Sequence, residues 1–322
     1  MRAMTAPLAS PLDDTRQLAQ SLPAGDGEGA ARFAETLGGA DRLVRLAVWL
    51  RRWREKRAMA VSRPNLVLFA GAHGVARRGV SPVLPQATVD EVAALGAGQA
   101  PLGRLCAGLD LGLRVFDLAL EHPTGDIAET TALDERGCAA TIAFGMEAVA
   151  GSPDLLVLGA VRAPGAEVSS AVLHALLAGE GGAEWLALDS AAGHIRLRAE
   201  QAVGEALARH READPLKALA AVGGRETAAL VGAILAARAE HVPVLLDGAA
   251  AFVAAAVVAR LSPGAVAHCV LAQGFGDPKR AALSEQLGLD PLLPAGFARP
   301  GEAGASAVGL VRAAAALGGQ GA

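Results

Sequence analysis

Residues 223–261 read GGRETAALVGAILAARAEHVPVLLDGAAAFVAAAVVARL. Two glycines open a long Ala, Leu, Val and Ile run that is too apolar for a surface helix and too long for a strand, so it predicts a buried helix. The short apolar run Pro243–Leu246 then stops at Asp247-Gly248, and a second Ala-rich helix begins. A strand without polar alternation between two helices is the unit of a parallel sheet covered on both faces, because only burial on both sides removes the alternation.

The same rhythm extends outward. From residue 64, short apolar runs end in Gly or Asp and precede Ala-rich helical segments: NLVLFAG, LRVFDL, DLLVLG, VPVLLDG and VAHCVLAQG, with WLALD at 185–189 as a candidate sixth. The fold class expected is α/β, a Rossmann-like parallel sheet with helices on both faces. A small helical domain from the amino- and carboxyl-terminal segments is expected beside it, with boundaries at 1–60, 61–282 and 283–322. Residues 1–60 read as polar lead-in followed by a helix in ADRLVRLAVWLRRWREKRA, where Leu43, Leu46, Val48 and Leu50 oppose arginines. The glycine-rich tail after Leu317 is expected to fray. Ligands of such sheets sit beyond the carboxyl ends of the strands, which directs attention to Ala72-His73-Gly74, Asp117, Gly159, Asp247-Gly248 and Gln273.

Composition narrows the ligand. The 322 residues are 52% hydrophobic but only 3% aromatic, with no Tyr, so the core must rest on small aliphatic side chains in close approach. A net charge of −4 without a basic stripe argues against nucleic acid, leaving small molecules as the expected partners. Cys106, Cys138 and Cys269 are odd in number and apolar in context, which fits buried thiols in a reducing compartment. Without a signal pattern or a membrane-length apolar run, the expected location is cytoplasmic. No metal-ligand spacing is present, and no cofactor is expected.

Three segments carry chemistry. AGAHGVARRGVSPVLPQATVDEV (70–92) leads from a strand through a polar loop to a helix expected near Thr88, with Thr88 and Glu91 as a capping box. The loop presents His73, Ser81 and Gln86. In the opening stretch, Gly223 and Gly224 suit either phosphate approach at the start of the helix or tight packing. Asp247 suits either capping of the next helix or direct chemistry. Finally, LGLDPLLPAGFARPGEAGAS (287–306) sets Glu302 between Gly301 and Gly304, ahead of a last helix. There a carboxylate serves as a helix N-terminal charge or as a general base.

Taken in order, HGVARRGVS with PQATV, DPLKALAAVGGRETAALVGAILAA, PVLLDG and LGLDPLLPAGFARPGEAGA resemble the nicotinate-nucleotide:dimethylbenzimidazole phosphoribosyltransferases over residues 65–315. The resemblance implies transfer of phosphoribose from nicotinate mononucleotide to a benzimidazole, giving α-ribazole phosphate and nicotinate, by a homodimer. It places the general base on Glu302 and the base pocket on His73, Ser81 and Gln86. The phosphoribosyl site is expected from Arg162, Gly165, Ser169, Ser170, Gly223, Gly224, Asp247 and Gly248. Departures cluster in this last group. GAVRAPGAEVSSAV stands where the family carries Gly-Glu-Met-Gly-Ile-Gly-Asn-Thr-Thr, with Ala160 at the acid, and WLALDSAAGHIRL lacks the family's Gly-Arg-Gly-Thr-Gly. The alternative is therefore a catalytically impaired paralogue that binds a benzimidazole or nucleotide as a sensor. Neither a dinucleotide Gly-x-Gly-x-x-Gly turn after the first strand nor a Gly-x-Ser-x-Gly hydrolase elbow is present.

Overall fold

Six parallel strands form one sheet in the computed structural model, which describes residues 10–54, 59–188 and 191–318. They are β1 (Pro64–Ala70), β2 (Gly112–Asp117), β3 (Leu155–Ala160), β4 (Val244–Leu246), β5 (Cys269–Gln273) and β6 (Pro291–Leu293), in the order β2-β1-β3-β4-β5-β6. The helices α1 (Asp13–Gln20), α2 (Gly27–Leu37), α3 (Arg42–Trp53), α4 (Pro85–Gly96) and α5 (Pro101–Gly108) come first. They are followed by α6 (Glu135–Gly145), α7 (Ala166–Ala178), α8 (Gly193–Arg209), α9 (Pro215–Val222) and α10 (Arg225–Ala239). The chain closes with α11 (Gly248–Leu261), α12 (Pro278–Gln286) and α13 (Glu302–Ala316). Since β2 and β3 flank β1 on opposite sides, the direction of winding reverses between β1 and β3, the place where sheets of this kind leave a crevice.

Strand side chains divide strictly between two cores. Val67, Phe69, Leu156 and Leu158 join α6, α7, α10 and α11 on one face, while Leu66, Leu68, Leu155 and Val157 join α3, α5 and α13 on the other. The scarcity of aromatics is offset by close backbone approach. A Cβ on Gly232 of α10 would lie 1.8 Å from the Ile142 carbonyl oxygen of α6, and one on Gly145 would lie 1.9 Å from that of Ala229, so only glycine permits this helix pair. All three cysteines are free and buried. No described helix is long and apolar enough to cross a membrane.

The structure differs from the sequence reading at several points. WLALD is not a strand. Ala183–Trp185 form a 3-10 turn whose Trp185 stacks on His174 at 4.6 Å, and Leu186 and Leu188 fill the core without pairing; Asp189 lies outside the described residues. The sixth strand is the three-residue edge β6, which begins with proline, tolerated there because a first residue need not donate to the ladder. Helix α4 starts at Pro85, so Thr88 does not cap it, and the Thr88 hydroxyl donates instead to the Arg162 carbonyl at 2.8 Å. The expected amino-terminal helix is α3, capped by Asp41 and ending at Trp53, with residues 55–58 outside those described. The lead-in before it contains α1 and α2. Of the tail expected to fray, residues 319–322 also lie outside the described set.

Candidate active site

A cleft of about 640 Å³ opens beyond the carboxyl ends of the strands. Its walls come from Val80–Val83, Ala160–Ala163, the start of α7, Asp247–Ala250, Gln273–Asp277 and Ala295–Pro300. Each of these segments follows a strand or the loop after one, the last coming after β6, as a parallel sheet requires.

Segment 295–300 reaches the cleft because a strand tip holds it. Gln273, the last residue of β5, accepts the amides of Gly296 and Phe297 on its Oε1 and donates from Nε2 to the Phe297 carbonyl. Arg162 donates to the Ala298 carbonyl at 2.5 Å from the opposite wall. The loop then turns at Gly301, whose φ of +82° admits glycine most readily, and Glu302 is the first residue of α13. Its side chain is 25% exposed and pairs with Arg299 at 3.2 Å.

Asp247 occupies the N-cap position of α11 yet makes no side-chain cap there. Its Oδ2 instead accepts the Gly304 amide at 2.6 Å, so it caps α13 on the opposite face of the sheet. Burial pushes the Asp247 carboxyl up to about 6; the amides of Gly304 and Gly301 oppose that rise, and the neighbouring charge of Glu302 adds to it. The Glu302 charge is thus felt by the Asp247 carboxyl where the last helix touches the tip of β4.

The expected residues divide between cleft and core. Ser81, Arg162, Gly165, Ser170, Asp247 and Gly248 line the cleft, whereas Glu302 is not part of its lining and stands two residues past the last lining residue, Pro300. His73 is buried beneath the wall, its Nε2 on Glu226 at 2.9 Å and unavailable to a base. Gln86 is exposed on α4 and donates to Asp90, Ser169 donates to the Val222 carbonyl, and Gly223 packs against Leu219. Gly224 does not face open space either. A Cβ there would lie 2.1 Å from Glu226 Oε1, so the glycine makes room for that carboxylate and not for an approaching phosphate.

Two cleft residues escaped the sequence reading. Glu226, second in α10, is 2% exposed and lines the cleft. Arg280 is also buried there, donating to the Trp185 carbonyl at 2.7 Å and to Asp277 at 3.2 Å, with Glu167 at 3.5 Å. Burial raises the Glu167 carboxyl, an effect the Arg280 charge partly offsets. In sequence, Asp277-Pro278-Lys279-Arg280 signals only a helix start, and the signal is correct as far as it goes, since Asp277 caps α12. Among the described residues no group of three or more His, Cys, Asp or Glu is placed to hold a metal ion.

Comparison with known proteins bears directly on this site. A family model described as Phosphoribosyltransferase matches residues 26–321. A protein of Rhizobium rhizogenes named nicotinate-nucleotide–dimethylbenzimidazole phosphoribosyltransferase is 43% identical over 318 residues, covering 95% of this chain and 93% of its own length. A Brucella melitensis protein of the same name is 43% identical over 317 residues with the same coverage. The crystal structure of the Thermus thermophilus enzyme so named superposes with a TM-score of 0.80 at 26% identity, over 91% of this chain and 96% of that one.

Proposed function

The chain belongs to this phosphoribosyltransferase family, and from that premise we propose that it moves the phosphoribosyl group of nicotinate mononucleotide onto 5,6-dimethylbenzimidazole or a related base. The products are α-ribazole 5′-phosphate and nicotinate, a step in assembling the lower ligand of cobalamin. The observation that carries the reading is the hydrogen bond from Gly304 to Asp247, which anchors the first turn of α13, beginning with Glu302, beside a cleft at the strand tips.

The chemistry needs little besides a base and orientation. Nicotinate bound through its ring nitrogen is a pyridinium, so when the bond to the anomeric carbon breaks, the electron pair returns to the ring nitrogen without protonation. One nitrogen of the benzimidazole forms the new bond to that carbon, and the N–H of the other gives its proton to Glu302. Asp247 is a positioning residue: by capping α13 it fixes the first turn that carries Glu302. Arg162, Ser170 and the start of α7 offer donors for the phosphate, and Arg280 adds a buried positive charge. Holding donor and acceptor together supplies most of the acceleration.

Relatives over nearly the full length carry transferase names, which favours turnover over the sensor alternative. A cytoplasmic homodimer completes the reading. The test is to incubate the purified protein with nicotinate mononucleotide and 5,6-dimethylbenzimidazole and follow both products by chromatography. Nicotinate and α-ribazole phosphate should appear in equal amounts; tight ligand binding with neither product would return the sensor reading.

A further inference from the structure

We propose that Glu226, oriented by His73, accepts a hydrogen bond from a ribose hydroxyl of the donor. The inference rests on the transferase reading and adds a substrate contact to it. Glu226 stands at the start of α10 against Gly71, just past the tip of β1. That is the β1–β3 crevice where the winding reverses.

The carboxylate is half satisfied. Its Oε1 accepts from His73 Nε2 at 2.9 Å and, at 3.5 Å, from the Thr227 hydroxyl, and the Glu226 and His73 side chains are both 2% exposed. Its Oε2 is buried with no partner. A buried carboxylate oxygen without a donor is costly, and folded proteins seldom keep one unless something else fills the place. Although burial alone would raise the Glu226 carboxyl, the charge and hydrogen bond of His73 outweigh it, helped by the residue's own backbone amide and the Thr227 hydroxyl, and hold the group below its ordinary range. It is therefore an anion at neutral pH, able only to accept, and a sugar hydroxyl is the donor the reaction brings.

Spacing agrees. The tips of β1 and β4 are two strand intervals apart, roughly 10 Å, with β3 between them. Asp247 and Glu302 mark the β4 end, where the anomeric carbon must meet the base. Ala160 ends β3 with a single methyl group and lines the cleft, leaving room for a furanose ring between the two acidic ends. Gly71 and Gly224 have no Cβ because one at either position would lie 2.1 Å from a Glu226 carboxylate oxygen, so the backbone is shaped around this group.

The test compares nicotinate mononucleotide with its 2′-deoxy and 3′-deoxy analogues, using kcat/KM and, separately, calorimetric Kd. In the wild type one deoxy donor should be weakened by about 100-fold, because its loss leaves the carboxylate oxygen unpaired. In Glu226→Gln that ratio should fall below about fivefold. His73→Asn, which keeps a donor for Oε1, should retain most of the discrimination, and His73→Ala should lose it. A purely structural ion pair predicts the opposite pattern. Loss of folded protein would then lower all rates together and leave the ratio unchanged, and that result would overturn the inference, as would a wild type indifferent to both deoxy donors. The Kd ratio decides the point even if no nicotinate is released, so failure of the transferase reading is distinguishable. Failure to bind the parent nucleotide would sink both.

Discussion

The Gly304 amide donates to Asp247 Oδ2 at 2.6 Å, joining the first turn of the last helix to the tip of β4. These residues are 57 apart in the chain, and nothing local brings them together. The contact places a helix N-terminus, with its partial positive charge, over a buried carboxyl and sets Glu302 beside it.

Glu302→Gln should lower kcat by about 10²–10⁴-fold, the usual contribution of a general base. Dimethylbenzimidazole affinity should change by less than about threefold, since the amide fills the same space. The melting temperature should hold, because the Arg299–Glu302 pair is partly exposed and such pairs contribute little. Unchanged turnover would remove Glu302 as the base.

Asp247→Asn should stabilise the protein at pH 8 and impair it as an enzyme. The carboxyl is raised from its ordinary 3.8 to about 6 by burial, so its contribution is fully present below pH 3.8 and is lost as pH rises through 6. The neutral amide escapes that loss and should gain about 3 kcal/mol at pH 8, shrinking towards zero at pH 4. Urea midpoints of both proteins across this range read the difference; a constant gap would contradict the raised carboxyl.

Acid should nevertheless destabilise the wild type. Burial, with Arg280 close to one and Arg238 to the other, holds His174 and His268 down at about 3 from an ordinary 6.5. Each contributes stability that is present above pH 6.5 and lost as pH falls towards 3. Two histidines with the larger displacement outweigh the opposite trend of Asp247. The urea midpoint should therefore fall steadily from pH 7 to pH 5, and a flat profile would refute the buried neutral imidazoles.

Gly304→Ala should cost about 1–3 kcal/mol as an overpacking change. The new Cβ would stand 2.2 Å from Val157 Cγ1 and 3.0 Å from Asp247 Oδ2, pushing the first turn of α13 off the sheet. Turnover should drop although Glu302 is intact. Gly309→Ala, exposed on the same helix with no atom within 4 Å of the added group, is the control and should be neutral or stabilising. Equal losses in both would remove the special role given to Gly304.

Local patterns exposed most of the sheet to reading. NLVLFAG, LRVFDL, DLLVLG, VPVLLDG and VAHCVLAQG all contain strands, because continuous apolar runs bounded by Gly or Asp have few other solutions. WLALD misled because a core-filling irregular segment has the same hydropathy as a buried strand, and β6 was missed because three residues show no period. Thr88 misled because a capping box is a four-residue pattern, while its hydroxyl answers to Arg162 on another segment.

Chain order and residue type by themselves determined the layered α/β architecture, the family resemblance and the positions beyond the strand tips, since these follow from hydrophobic period and motif succession. Only the tertiary structure decided that Asp247 caps α13 instead of its own helix, that His73 turns inward to Glu226, and that Arg280 is buried in the cleft wall. Such pairings join residues tens to hundreds of positions apart. They are set by which groups burial leaves without water, and no window of sequence contains both partners.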